Sequence, residues 1–220
     1  AAGKVIVNGN VVSDLGVKVS KNDQIIVEGT LLTQNQKEYY LFNKPRGVVS
    51  TAKDEHNRKT VVDYIETANR IYPIGRLDYD TTGLMLLTND GELANLIMHP
   101  KNAIEKVYVV KVKGKLGKEN IEKLKRGIVI EKTKTAPAKV KILDYDRIKD
   151  TSLVRLTITE GKNQQVKKMF AAIDKPVIKL KREKISFLNL EGVAIGKYRK
   201  LNPKEIKKLY NECQKEGNYE

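Results

Sequence analysis

Residues 75–91 restrict this chain more than any other stretch. Gly75-Arg76-Leu77-Asp78-Tyr79-Asp80-Thr81-Thr82 is a short polar loop holding two carboxylates and an arginine, and Gly83 then opens a compact apolar run from Leu84 to Leu87. Four apolar residues between turn signals read as a buried strand rather than a helix. Thr88-Asn89-Asp90 follow, residue types that cap the next helix. Asp78 therefore sits on a loop anchored by a core strand, the usual platform for a chemically active group. On the loop alone, a cap or turn carboxylate is the commoner fate of such an Asp.

The rest of the chain supplies further strands and a few helices. Lys4 to Val12 and Asp23 to Gly29 read as short strand pieces, with Asn8-Gly9 as a hairpin turn. Leu31 to Glu38 is polar, lacks periodicity and reads as a linker. Tyr39 to Phe42 is a strand ending at Asn43-Lys44-Pro45, and Pro45 forces Lys44 into extended or turn geometry. Thr60 to Ile65 has helical spacing, with Val61, Val62 and Ile65 on one face. Residues 90–98 form a short amphipathic helix that Pro100 stops, and Glu105 to Lys113 alternates as a strand. A charged helix runs from Lys118 to Arg126 and closes at Gly127. Strands at Ala138–Leu143 and Leu153–Thr159 lead through a tight turn into a basic helix with Val166, Met169 and Phe170 as its apolar face. Two extended segments fill Pro176 to Leu190, and Asn202-Pro203-Lys204-Glu205 starts a last helix.

Lysine and arginine number 42 against 27 aspartates and glutamates, a formal charge of +15, which points toward a polyanionic partner. No apolar stretch approaches the roughly 20 residues that span a bilayer, so no membrane partner is expected. The single cysteine, Cys213, cannot form an internal disulfide, and no signal peptide opens the chain, so the cytoplasm is the expected compartment. Two histidines and no cysteine cluster leave no metal-ligand spacing, and no metal is expected.

The 75–91 stretch resembles the signature of the RNA pseudouridine synthases, closest to the branch that modifies ribosomal RNA. Glu105-Lys106-Val107-Tyr108 resembles a second motif of that family. Glu160-Gly161-Lys162-Asn163-Gln164-Gln165-Val166-Lys167-Lys168-Met169 resembles a third, Asn43-Lys44-Pro45-Arg46-Gly47 an earlier element near the RNA, and Gly196 to Leu201 the closing motif. The likeness covers essentially all of residues 38–211. It implies an α+β fold: a mixed, mostly antiparallel sheet with flanking helices, in two lobes around a central cleft. It implies Asp78 as the catalytic residue, Tyr108 as the active-site aromatic and Lys167 as the cation paired with Asp78. Lys167 stands where arginine is commoner, which turns a bidentate fork into a point charge. Ser186 stands where the family usually has glycine.

Residues 1–30 resemble the second half of an S-four-type RNA-binding module without its preceding helices; a plain hairpin is the competing reading. The expected layout is that module at 1–30, a linker at 31–37, a catalytic domain at 38–211 and a tail at 212–220. The resemblance implies isomerisation of uridine to pseudouridine in ribosomal RNA or a ribosomal subunit precursor, by a monomer without cofactor, since reactant and product are isomers. Candidate RNA contacts are Arg76, as space-holder for a flipped base, with Lys44, Arg46, Lys106, Lys162, Gln165, Lys181 and Arg182. A non-catalytic RNA-binding or ribosome-assembly factor is the rival from another class. A hydrolase using Asp78 and Asp80 is a third reading, but two carboxylates so close on one loop suit acid and base work on opposite faces of a sugar poorly, so Asp80 is read as structural.

Overall fold

Short strands joined by tight turns make up the first of two units. In the computed structural model, which describes residues 4–14, 16–20, 22–32 and 36–214, the chain divides into residues 1–36 and 37–220. Strands β1 (Val5–Val7), β2 (Asn10–Val12), β3 (Ile25–Val27) and β4 (Thr30–Leu31) form an antiparallel sheet in the order β2-β1-β3-β4. Asn8 and Gly9 take φ of +49° and +83°, the two positive values that a two-residue type I′ hairpin requires. β4 occupies the start of the stretch read as linker; Thr33, Gln34 and Asn35, at that linker's centre, lie outside the described residues.

The second unit is built on a nine-stranded sheet. Its elements are β5 (Tyr39–Lys44), β6 (Tyr72–Ile74), β7 (Thr82–Thr88), α1 (Gly91–Met98), β8 (Lys106–Lys113), α2 (Lys118–Arg126), the small pair β9 (Val129–Ile130) and β10 (Thr133–Lys134), β11 (Lys139–Asp146), β12 (Thr151–Ile158), α3 (Gln165–Ala171), β13 (Val177–Ile185), β14 (Leu188–Asn189), β15 (Tyr198–Lys200) and α4 (Pro203–Gln214). The main sheet runs β11-β12-β8-β13-β7-β5-β15, with β14 on β13 and β6 on β7. Its strand pairs are antiparallel except β13 with β7, which run parallel through Lys181↔Thr82 and Arg182↔Gly83. The expected α+β fold with a mixed, mostly antiparallel sheet and flanking helices is the one found.

β5 and β7 send alternate side chains to two cores. Tyr40, Phe42, Met85 and Leu87 join Val110, Leu156, Met169 and Phe170 on one face. Leu41, Leu84 and Leu86 join Leu93, Ile97, Leu209 and Cys213, from α1 and α4, on the other. Burial on both faces explains why the Leu84–Leu87 run is continuously apolar instead of alternating. Each of these four residues is at most 1% exposed, worth about 1.5–3 kcal/mol apiece.

Helix ends follow the capping rules. Asp90 caps α1 by accepting the Leu93 N–H. At α4, Asn202 and Glu205 exchange main-chain and side-chain bonds, with Pro203 at the first position. The helix expected at 60–65 is only a 3-10 turn, Val62–Tyr64, held by the Asp63 carboxylate accepting the Thr60 N–H at 2.7 Å. Val61 and Val62 are β-branched and Ile65 turns back to extended backbone, so no second turn forms. Residues 212–214, read as tail, belong to α4, with Cys213 buried; residues 215–220 lie outside the described residues. Ser186, where the resemblance leads one to expect glycine, takes φ +53° between β13 and β14, the left-handed region glycine enters freely. Among the described residues, no helix is long and apolar enough to cross a membrane.

Candidate active site

The loop carrying Asp78 is fixed from several directions. Ser50, buried, donates its hydroxyl to the Leu77 carbonyl at 2.6 Å and accepts the Leu77 N–H at 3.1 Å. The Tyr79 carbonyl accepts the Gly47 N–H at 2.8 Å, and the Asp78 carbonyl accepts the Thr81 N–H at 3.0 Å. Beneath the loop lies Lys44, 0% exposed, whose ammonium donates to the carbonyls of Thr81, Asp78 and Pro45 at 2.9, 3.1 and 3.2 Å. All three of its protons are therefore used inside the protein. This corrects the expectation of a phosphate contact: Lys44 is a strut under the loop. Burial pushes its pKa down to about 8, against the pull of Asp80 and Asp78.

Lys167, on α3, reaches this loop from the other side of the sequence. Its Nζ lies 3.0 Å from Asp78 Oδ2 and 2.6 Å from Asp80 Oδ1. Val166, Met169 and Phe170 bury the apolar face of α3 and so fix where Lys167 emerges. Burial would lower the lysine's pKa, but the bonds to Asp80 and Asp78 outweigh it and raise it. In return, the Lys167 hydrogen bond holds the Asp80 carboxyl below its ordinary value. Asp80 is thus a second anion on the same cation, a link its position two residues from Asp78 did not reveal.

Beside Asp78 opens a cavity of about 200 Å³. Asp78, Tyr108, Arg76, Lys106, Lys162 and Arg182 line it, with apolar wall from Leu180, Ile158 and Ile185. An apolar cavity of about 150 Å³ takes up benzene, so this volume suits one six-membered ring. Tyr108 is 8% exposed, its ring half of a sheet pair in which Arg182 is the cross-strand partner.

The RNA-contact candidates divide. Arg76 and Lys162 are exposed and line the cavity; Arg46 and Lys181 are exposed but do not line it. Gln165 is buried and fully engaged: its Oε1 accepts the Lys162 N–H at 2.9 Å and its Nε2 donates to Glu160 at 2.6 Å. It is a peg at the start of α3, not a free RNA contact. Arg182 is 4% exposed and donates Nε to the Leu84 carbonyl at 2.7 Å, so it is a buried cavity cation instead of a surface phosphate ligand. Lys106 is similarly withdrawn, donating to the Ile104 and Thr159 carbonyls at 3.0 and 3.4 Å. Burial, and then the neighbouring Arg182, push its pKa down to about 8.

Comparison with known proteins bears on what such a cavity serves. The family model described as RNA pseudouridylate synthase matches residues 38–172. The chain is 57% identical over 208 residues to ribosomal large subunit pseudouridine synthase B of Bacillus subtilis (strain 168), covering 94% of this chain and 85% of that one. It is 39% identical over 212 residues to ribosomal small subunit pseudouridine synthase A of Haemophilus influenzae, covering 93% and 88%. A crystal structure of a pseudouridylate synthase superposes with a TM-score of 0.74 at 38% identity, covering 94% of this chain and 89% of that chain. Sequence and fold agree along nearly the whole length, and the chain belongs to the RNA pseudouridylate synthase family.

Proposed function

We propose that this protein isomerises uridine to pseudouridine in ribosomal RNA, with Asp78 as the catalytic carboxylate. The observation that carries the reading is the Asp78–Lys167 ion pair at the edge of a ring-sized cavity that Tyr108 also lines. The 57% identity to a large-subunit enzyme, against 39% to a small-subunit one, favours large-subunit RNA as substrate.

The reaction breaks the C1′–N1 bond, turns the uracil and forms a C1′–C5 bond; the C5 proton leaves and N1 gains one. Atoms balance without a cofactor. Asp78 is suited to act as nucleophile or to stabilise a sugar cation. Lys167 places the opposite charge 3.0 Å from it and fixes its position. Tyr108 offers a flat ring for stacking, worth roughly 1–3 kcal/mol per base, and shields the detached uracil from water. The uridine must leave its stack to reach the cavity, and Arg76, exposed beside Asp78, takes the vacated space. The protein works as a single chain in the cytoplasm, and the exposed lysines make its affinity strongly salt-dependent.

Ribosomal transcripts labelled with tritium at uracil C5 provide the test. Wild type releases label to water from large-subunit RNA; Asp78→Asn releases none while binding the RNA as before. Wild type releasing no label from either subunit's RNA would leave a non-catalytic RNA-binding factor. Free uracil as the product would leave a hydrolase.

A further inference from the structure

Two cations, the buried Arg182 and the half-buried Lys106, line the cavity without an ion-pair partner. Lys106 and Arg182 both line it, and among the described residues no carboxylate lies within 4 Å of either. Lys106 uses two of its three protons, on the Ile104 and Thr159 carbonyls. Arg182 gives Nε to Leu84, and its Nη2 is buried with no hydrogen-bond partner. An uncompensated buried charge is costly, and so is a buried donor left without an acceptor. Folding alone gains nothing from this arrangement, which points to a ligand that supplies the acceptors.

The register says where such a ligand would lie. Lys106 and Tyr108 are two residues apart on β8, so they project from the same face of the sheet. Arg182 pairs across the strands with Tyr108. The two cations therefore flank a ring stacked on Tyr108. Phosphates suit the solvent-reached Arg76 and Lys162 instead; a buried site walled by Leu180, Ile158 and Ile185 suits a base.

On the reading of a uridine isomerase, which this inference assumes, we propose that Lys106 and Arg182 grip the two carbonyl oxygens, O2 and O4, of the detached uracil. When C1′–N1 breaks, the bonding pair stays on N1 and spreads over O2 and O4, so the base leaves as an anion. Fixed cations in a water-poor site stabilise that charge. Uracil also has a near-twofold axis through N3 and C6, which exchanges N1 with C5 and O2 with O4. A ring turned half a revolution about it brings C5 to where N1 had been. The same two cations then hold the same pair of oxygens before and after the turn. Cytosine, with an amino group in place of O4, would set a donor against donors and be rejected.

The test uses full-length protein and C5-tritiated ribosomal RNA in which uridine is replaced by 4-thiouridine or 2-thiouridine, sulfur being the weaker acceptor. Wild type is expected to react more slowly on both thio substrates. Lys106→Met is expected to lose roughly 100-fold or more in single-turnover rate, with RNA affinity within about 3-fold. It is also expected to lose the penalty for one of the two thio substrates. Lys106→Met reacting at the wild-type rate, or showing the same thio penalties as wild type, overturns the proposal. Should Lys106→Met not fold, wild type alone decides: thio and oxo RNA reacting equally fast overturns it. Wild type inactive on ordinary uridine RNA is the failure of the isomerase reading itself.

Discussion

A Cβ placed on Gly83 would stand 2.2 Å from the carbonyl oxygen of Arg182 and 2.8 Å from its nitrogen. The parallel β7–β13 seam closes at this point, one strand-step from the loop that carries Asp78. Gly83 also takes φ +110°, a conformation other residues adopt only under strain. Backbone cannot swing aside as a side chain can. Gly83→Ala should therefore lower stability by roughly 3 kcal/mol or more, read as the urea unfolding midpoint. It should also part Arg182 from the Leu84 carbonyl and reduce turnover in whatever fraction folds. A wild-type midpoint would show that the seam is not tight.

Residue order made the scaffold legible. Leu84–Leu87 read as a buried strand because turn residues bound it on both sides, and Asp90 read as a cap because an amphipathic run follows. The Asp78–Lys167 pair was legible only by resemblance, since 89 positions separate the two and no local pattern spans that gap. Lys44 reads as a surface cation because its local sequence holds only one of its acceptors, the Pro45 carbonyl; the other two belong to Asp78 and Thr81, 34 and 37 residues further along the chain. Val61–Ile65 carried helical spacing too short to nucleate a helix.

Lys44→Met should leave three main-chain carbonyls without their buried donor and loosen the Asp78 loop. At pH 7 the substitution should lower turnover more than it lowers RNA affinity. Its effect on stability has a pH signature. The Lys44 pKa falls from 10.5 to about 8 on folding, so between those values the unfolded chain binds the extra proton. Stability then rises with pH through that window, by up to about 3 kcal/mol for this group. Wild type should therefore gain on Lys44→Met between pH 8 and 10.5 in urea unfolding. Parallel curves for the two proteins would mean Lys44 keeps its ordinary proton affinity.

Asp90 ties α4 and β5 to α1. Its Oδ2 accepts the Tyr39 hydroxyl at 2.7 Å and the Tyr210 hydroxyl at 2.5 Å, while Lys37 Nζ lies 2.9 Å from Oδ1. Burial would raise this carboxyl, but Tyr210, Lys37 and Tyr39 together hold it at about 2, below its ordinary 3.8. The depressed value stabilises the fold above pH 3.8, and that stability drains away as pH falls toward 2. Asp90→Asn should lower thermal stability at pH 7, by about 2–4 kcal/mol, and shrink the difference from wild type in acid. Equal acid sensitivity in both proteins would remove Asp90 from this role.

Lys167 serves two anions that stand two residues apart, so its removal should do more than delete one partner. In Lys167→Met, Asp78 and Asp80 face each other with no cation between them, and Asp80 loses the bond that lowers its pKa. The loop then carries two like charges with nothing to hold them in place, and turnover at pH 7 should fall roughly 100-fold, measured as tritium release. Lys167→Arg keeps the charge and offers a planar fork with several donors, enough to meet both carboxylates, so it should stay within about 10-fold of wild type. Asp80→Asn leaves the Asp78–Lys167 contact intact and should cost less than Lys167→Met. Were Asp80→Asn as inactive as Asp78→Asn, the second carboxylate would have to enter the chemistry, and the assignment of Asp78 alone as the reacting group would fall.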